Sequence, residues 1–232
     1  MKITERPSPN FNERPAGVLI DILVLHYTGM PTAEGALERL CDPAAKVSAH
    51  YTIDEDGTVY RHVAEEKRAW HAGVSFWAGV RDINDRSIGI ELVNPGHEFG
   101  YRPFPAAQID ALIPLCRGIL ARHAIPPRHV LGHADVAPAR KEDPGELFPW
   151  QALGAAGIGL WPTPAPDADP AWPAVARDLG FVGYDIGSGD PADPALRLAL
   201  VAFQRHWRQR LWDGAPDRES AAQLAGLRDL IG

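Results

Sequence analysis

The feature that most constrains the fold is an almost unbroken apolar run at residues 18–26 (VLIDILVLH). β-branched and leucine side chains without polar alternation are typical of a strand that is covered on both faces. Such strands lie inside sheets with helices on both sides, which is the α/β class. The run ends at His26, so we expect this histidine at the end of a buried strand.

Other segments of the first two thirds of the chain follow the same α/β pattern. Residues 50–63 indicate a strand, a turn at Asp56 and Gly57, and a second strand, and residues 87–93 and 129–132 indicate further strands. Apolar residues at helical spacing predict helices at 32–41, with Thr32 as the N-cap, and at 105–123. We therefore predict a mixed central β-sheet flanked by helices.

The composition changes after this region. Residues 154–171 are rich in proline, alanine and glycine, which suits a semi-rigid connector, and helical patterns follow at 172–179, 195–208 and 219–231. These patterns predict a first domain at 1–153, a linker at 154–171 and a small three-helix domain at 172–232. One compact unit is the alternative for a chain of this length.

Charge and hydropathy limit the class of partner. The chain has 23 basic and 30 acidic residues, a formal net charge of −7, which disfavours a nucleic-acid binder. No window approaches the roughly 18 apolar residues of a membrane span, and residues 1–15 lack the apolar core of a secretory signal. We expect a cytoplasmic monomer, or a periplasmic or envelope protein if a leader precedes this sequence in the cell.

Any metal site in this chain is expected to use histidine and carboxylate ligands. Cys41 and Cys116 lie in apolar helical segments without metal-type spacing, which predicts small core residues. A catalytic zinc needs three protein ligands and one open position. His26, His133 and Asp143 are candidates because they fall at strand ends or in loops, but they converge only if their strands are neighbours.

Six short blocks make a family resemblance specific. They are residues 25–28 (LHYT), 48–51 (SAHY), 69–73 (AWHAG), 84–94 (NDRSIGIELVN), 132–133 (GH) and 140–145 (RKEDPG). In this order they resemble the N-acetylmuramoyl-L-alanine amidases that are related to phage T7 lysozyme and the peptidoglycan recognition proteins. The resemblance spans about residues 18–150 and implies the mixed α/β fold of that family.

The resemblance also implies a site. By it, the Zn²⁺ ligands are His26, His133 and Asp143, the catalytic carboxylate is Glu91, and the neighbouring cation is Lys141. Substrate contacts are expected, more loosely, at His50, His71 and Asn94. The chemistry agrees, since amide hydrolysis needs an activated water, a carboxylate that moves its proton, and a positive partner for the developing oxyanion.

Each of these residues also has a structural alternative. Glu91 could form an ion pair with Arg86, and Lys141 could belong to a solvated charged run at 140–142. Asp143 could simply begin the turn at Pro144. His26, His50 and His71 could be structural. The remaining histidines are expected on the surface or in the core: His62, His97, His123, His129 and His206.

The C-terminal segment carries a second resemblance. Residues 179–181 (LGF), 199–207 (ALVAFQRHW) and 213–214 (DG) resemble the small three-helix peptidoglycan-binding domain of cell-wall hydrolases. Phe203 and Trp207 would also be core residues in any small helical bundle.

Together these features predict zinc-dependent hydrolysis of the amide between N-acetylmuramic acid, or its 1,6-anhydro form, and L-alanine, in peptidoglycan turnover or recycling. The partner is then peptidoglycan or a muropeptide. The main alternative is a protein that only recognises peptidoglycan, and an adaptor without metal is a third class. The lack of a signal-like segment in residues 1–15 favours recycling, whereas the wall-binding resemblance favours the envelope.

Overall fold

The computed structural model describes residues 2–232. Its strands are β1 (Ile3–Glu5), β2 (Phe11–Glu13), β3 (Ile22–Tyr27), β4 (Tyr51–Ile53), β5 (Val59–Arg61), β6 (Lys67–Ala69), β7 (Phe76–Trp77), β8 (Val80–Arg81), β9 (Ser87–Leu92) and β10 (Val130–Gly132). Its α-helices are α1 (Ala33–Cys41), α2 (Gly96–Phe99), α3 (Ala106–Arg122), α4 (His133–Val136), α5 (Trp150–Ala155), α6 (Trp172–Val182), α7 (Pro194–Trp207) and α8 (Arg218–Ile231). Short 3₁₀ turns occur at Ile83–Arg86 and Pro127–His129.

A six-stranded mixed sheet organises the molecule, in the order β1-β5-β4-β9-β3-β10. Only the β4–β5 pair is antiparallel, and it is the predicted hairpin. The other four pairs are parallel. β2 pairs with β6 and β7 pairs with β8 outside this sheet. The predicted fold class, a mixed central sheet with flanking helices, is confirmed.

The apolar run of the sequence becomes β3, which is covered on both faces. Leu23 and Leu25 belong to the core that contains α3, and Ile22 and Val24 belong to the core that contains the C-terminal helices. Successive side chains of a strand point to opposite faces, so a strand between two helical layers needs apolar residues at every position. The strand begins at Ile22, later than the apolar run. Leu19, near the start of the run, is 76% exposed.

Local signals in the sequence account for two further predicted elements. The Thr32 hydroxyl accepts a hydrogen bond from the Gly35 N–H at 3.1 Å and caps α1 as expected. Gly57 has a φ of 87° in the β4–β5 turn, a left-handed conformation that glycine adopts without steric cost. The strands that lack such signals, β1, β2 and β6 to β8, have two or three residues each.

The three C-terminal helices pack on one face of the sheet. Leu179, Leu200 and Phe203 share a buried apolar cluster with Ile22 and Val24 of β3. The division into two domains joined by a linker therefore stays a prediction, and the apolar cores of the two parts are continuous. None of the described helices combines the length and the apolar character that crossing a bilayer requires. Both cysteines are free, Cys116 within the core.

Candidate active site

The ends of three neighbouring parallel strands build the site. β3 lies between β9 and β10, so the carboxyl ends of all three meet at one edge of the sheet. His26 of β3 and Glu91 of β9 are register partners, and His133 follows the last residue of β10 directly. Open α/β sheets bind ligands beyond the carboxyl ends of their strands. The sequence left open whether the strands that carry His26 and His133 are neighbours, and the structure shows that they are.

Three potential donor atoms converge at this edge. His26 Nδ1 and His133 Nδ1 lie 3.0 Å apart. Asp143 Oδ2 lies 3.0 Å from His26 Nδ1 and 3.1 Å from His133 Nδ1. All three side chains are buried. The residues predicted as metal ligands are therefore brought together.

The outer nitrogens of both imidazoles have their own partners. His133 Nε2 donates to the backbone oxygen of Ala72 at 3.0 Å. His26 Nε2 lies 3.0 Å from Nδ1 of His71, and His71 Nε2 lies 3.1 Å from the Ser87 hydroxyl oxygen. If each Nε2 donates, the Nδ1 lone pairs of His26 and His133 are left pointing at one another and at Asp143. Hydrogen bonds of this kind orient the histidine ligands of metals.

Electrostatics keep His26 and Asp143 in the forms that bind a cation. Burial, and then the proximity of His133, lower the pKa of His26 to about 4, so its imidazole is neutral at pH 7. Burial opposes ionisation of Asp143, but His133 and His26 hold the pKa of this carboxyl well below its usual range. Neutral imidazole and carboxylate are ligand types that zinc accepts.

The separations also fit a zinc ion. Ligand atoms about 2.1 Å from a tetrahedral zinc are about 3.4 Å from each other, and the three donors are 3.0–3.1 Å apart. When His133 donates through Nε2 to Ala72, the lone pair of its Nδ1 faces the Asp143 carboxylate oxygen, and these two atoms repel unless a positive charge lies between them. The donor chemistry and the spacing therefore both fit a bound divalent cation.

A close backbone approach brings Asp143 to the end of β10. The Ala134 N–H donates to the Asp143 carbonyl oxygen at 2.8 Å. A Cβ atom at Gly132 would lie only 2.8 Å from Cδ of Pro144, so a larger residue at this position would push the segment away. Glycine before His133 thus permits the contact that places the aspartate beside the two histidines.

We call His26, His133 and Asp143 the donor triad. It opens into a cleft of about 430 Å³ that Glu91 and Lys141 also line. Glu91 Oε2 is buried and has no hydrogen-bond partner among the described residues. Burial and then Asp143 raise the pKa of Glu91 well above its usual range, while Lys141 opposes this shift. Arg86 binds Asp21 instead, so the alternative of an Arg86–Glu91 ion pair is wrong.

The three loosely expected substrate contacts differ in position. His71 lines the cleft and contacts His26. His50 is fully buried, and its Nδ1 accepts the Gly89 N–H at 2.9 Å. Asn94 is also fully buried, and its amide bonds the backbone of Arg102 and Gly96. The structure does not bring His50 or Asn94 to the cleft, which favours the structural interpretation of both.

One histidine that the sequence assigned to the surface or core lies in the cleft wall. His97 Nδ1 is 3.0 Å from the Tyr27 hydroxyl, and its ring stacks on Tyr101 at 4.3 Å between centroids. The preceding residue, Gly96, lies close to the Tyr27 ring. No motif or periodic pattern in the sequence indicated that His97 would lie in the cleft.

Comparison with known proteins places this geometry in a family. The sequence profile described as N-acetylmuramoyl-L-alanine amidase matches residues 15–146, which include the donor triad, Glu91 and Lys141. The chain belongs to this family. The predicted family and enzyme class are confirmed.

Two curated relatives differ in how much of the chain they match. N-acetylmuramoyl-L-alanine amidase AmiD of Escherichia coli (strain K12) is 38% identical over 235 residues, covering 92% of this chain and 84% of AmiD. The 1,6-anhydro-N-acetylmuramyl-L-alanine amidase AmpD of Haemophilus influenzae is 35% identical over 162 residues, covering 62% of this chain and 86% of AmpD.

Solved structures agree with the sequence relatives. E. coli AmiD in complex with the substrate anhydro-N-acetylmuramic acid-L-Ala-D-gamma-Glu-L-Lys has a TM-score of 0.82 and 37% identity, covering 95% of this chain and 93% of that chain. AmpDh3 of Pseudomonas aeruginosa in complex with anhydromuramic pentapeptide has a TM-score of 0.83 and 33% identity, covering 97% and 98%. The similarity therefore extends over the C-terminal helices.

Proposed function

We propose that His26, His133 and Asp143 hold a zinc ion with which this amidase cleaves the bond between N-acetylmuramic acid and the L-alanine of the stem peptide. The observation that carries the proposal is the approach of three buried donor atoms to 3.0–3.1 Å of one another. Lewis acidity towards water and towards the substrate carbonyl oxygen is the chemistry that zinc supplies when bound.

Glu91 is the proposed proton carrier. Its carboxyl group lines the cleft beside the triad, and its raised pKa makes it a stronger base than an ordinary glutamate. A carboxylate in this position takes a proton from the attacking water and returns it to the nitrogen that leaves with the stem peptide. The absence of a hydrogen-bond partner for Oε2 among the described residues supports this role, because a purely structural carboxylate would be paired.

Lys141 is the proposed partner for developing negative charge. It is exposed and lines the cleft, and its charge acts on both Glu91 and His26. An ammonium group here stabilises an oxyanion more than it stabilises the neutral amide, and such differential stabilisation accelerates the reaction.

The proposed substrates are muropeptides, including the 1,6-anhydro form. The ligands in the complexes of AmiD and AmpDh3 are anhydromuramyl peptides, and both structures resemble this chain over most of its length. Arg39 adds a recognition element, since it is exposed on the cleft wall and forms no ion pair within residues 2–232. A γ-linked glutamate leaves its α-carboxylate free, and a guanidinium group is a suitable partner for it.

The test is to incubate the zinc-loaded protein with anhydromuramyl peptides and with intact peptidoglycan, and to measure free stem peptide by mass spectrometry. We expect release from the anhydromuramyl peptides. Zinc binding without release from either substrate would contradict the hydrolase and leave a recognition protein. Arg39→Ala should raise KM by about 3- to 10-fold with kcat unchanged, as expected for the loss of one partly exposed ion pair.

A further inference from the structure

Three parts of the proposed machinery lie on one segment with little regular structure. His133, Lys141 and Asp143 all fall within residues 133–148, which form the short helix α4 and then only turns and bends. We call residues 133–148 the ligand segment. A segment without a strand or a long helix depends on contacts with other elements to keep its side chains in position.

The C-terminal end of α7 supplies three such contacts. Arg205 Nη2 donates to Glu142 Oε2 at 3.1 Å, one residue before Asp143. His206 Nδ1 donates to Asp135 Oδ2 at 2.7 Å, two residues after His133. Gln209 Nε2, just beyond the helix, donates to the Phe148 carbonyl oxygen at 2.6 Å. The three donors bind the beginning, the middle and the end of the ligand segment.

The contact at Asp135 is the most deeply buried of the three. This carboxylate is 2% exposed and also accepts the Gly132 N–H at 2.7 Å and the hydroxyl of Tyr184, which follows α6. The His206 ring is stacked on Trp150, with 3.6 Å between centroids. The turn that presents His133 is therefore held by two residues of the C-terminal helical part.

The donors of these contacts lie outside the region that defines the family. The family profile matches residues 15–146, so α7 is beyond its end, and the match to H. influenzae AmpD covers only 62% of this chain. The apolar core beneath the contacts is continuous from β3 to Leu200 and Phe203 of α7. The helical part of this chain is thus attached to the site by both packing and hydrogen bonds.

We propose that the end of α7 positions the ligand segment, with Arg205, His206 and Gln209 as positioning residues that act on His133, Lys141 and Asp143. The proposal rests on the zinc site proposed above for its effect on activity, but not for its effect on the segment itself. It gives the C-terminal helices a function in the site, apart from any contact that they make with the cell wall.

The test compares Arg205→Ala/Gln209→Ala with the control Arg210→Ala/Gln223→Ala in the full-length chain. Both target side chains are only partly buried, so their removal leaves the core intact. Arg210 pairs with Glu219 of α8 and not with the ligand segment, and Gln223 also lies on α8.

Three measurements distinguish positioning from general stability. In the metal-free protein, amide hydrogen exchange of residues 133–148 should become about 5-fold faster or more in the target variant only. In the zinc-loaded protein, transfer of zinc to a chelator should become about 10- to 100-fold faster. With muropeptide, kcat should fall by about 10-fold or more while KM changes less than about 2-fold.

His206 is tested by rescue. His206→Ala should show the same changes, and His206→Asn, which keeps an N–H donor near the Nδ1 position, should restore zinc retention at least in part. If exchange and zinc transfer in Arg205→Ala/Gln209→Ala match the wild type, or if the control variant changes equally, the positioning proposal is wrong. Failure of the amidase proposal looks different, because the wild type would then release no stem peptide whatever the exchange rates are.

Discussion

Glu91→Gln separates proton transfer from the shape of the site. The substitution keeps the size of the side chain and removes its ability to accept and return a proton. General acid–base catalysis by one side chain contributes about 10²- to 10⁴-fold, so kcat should fall by this factor. The activation free energy should rise correspondingly, by about 3–5 kcal/mol. Zinc content and KM should stay near the wild-type values, because Glu91 is not among the three convergent donors.

The same substitution has an opposite effect on stability in the metal-free protein. A carboxyl group with a folded pKa above its ordinary 4.5 stabilises the folded state at low pH and loses this contribution as the pH rises through the folded value. Wild type should therefore lose stability relative to Glu91→Gln between about pH 4 and pH 7. The expected difference is about 1–3 kcal/mol, the cost of a buried polar group without a partner.

The assay is steady-state release of stem peptide together with elemental analysis, and urea unfolding of the metal-free proteins at both pH values. Glu98→Gln is the matched control, since Glu98 is an exposed acid on the wall of the same cleft, and it should leave kcat within about 3-fold of the wild type. Turnover by zinc-loaded Glu91→Gln within about 10-fold of the wild type would refute the assignment of Glu91 as proton carrier.

Three further variants test other parts of the site. His133→Ala should lose zinc on dialysis, because two ligands remain from a set of three; elemental analysis showing one zinc per chain would contradict the ligand assignment. Lys141→Met should keep its zinc, and its kcat should fall about 10²- to 10³-fold. An unchanged kcat in the stem-peptide assay would contradict a catalytic role and favour the alternative that Lys141 belongs to a solvated charged run. Gly89→Ala should destabilise the protein by about 1–3 kcal/mol in urea unfolding, because its Cβ would lie 2.5 Å from the His71 ring. Gly118→Ala on α3 is its control and should change stability by less than about 1 kcal/mol, and equal effects at both positions would contradict the close packing of His71.

The elements with a strong local pattern could be predicted from the sequence, and those without one could not. The strand β3 and the hairpin turn at Gly57 are each determined by a short stretch of consecutive residues, the apolar run and the Asp56-Gly57 pair. The strands β1, β2 and β6 exist because partners elsewhere in the chain offer hydrogen bonds to them. Pairing of this kind depends on tertiary position, which a segment of three residues does not encode.

The donor triad was identified through the family blocks and not through spacing. His26 and His133 are far apart in the chain, and only the adjacency of β3 and β10 brings their Nδ1 atoms to 3.0 Å. The role of α7 carried no signal, because Arg205 and His206 look like ordinary residues of an amphipathic helix. Their partners, Asp135 and Glu142, are acidic residues whose contacts only the folded chain reveals.

The most direct test of a zinc site formed by His26, His133 and Asp143 is a titration of the metal-free protein with zinc while the release of stem peptide from an anhydromuramyl peptide is recorded. The account predicts no release without metal, and a linear rise that stops at about one zinc per chain. Release that is independent of zinc, or a bound zinc that brings no release, would contradict it.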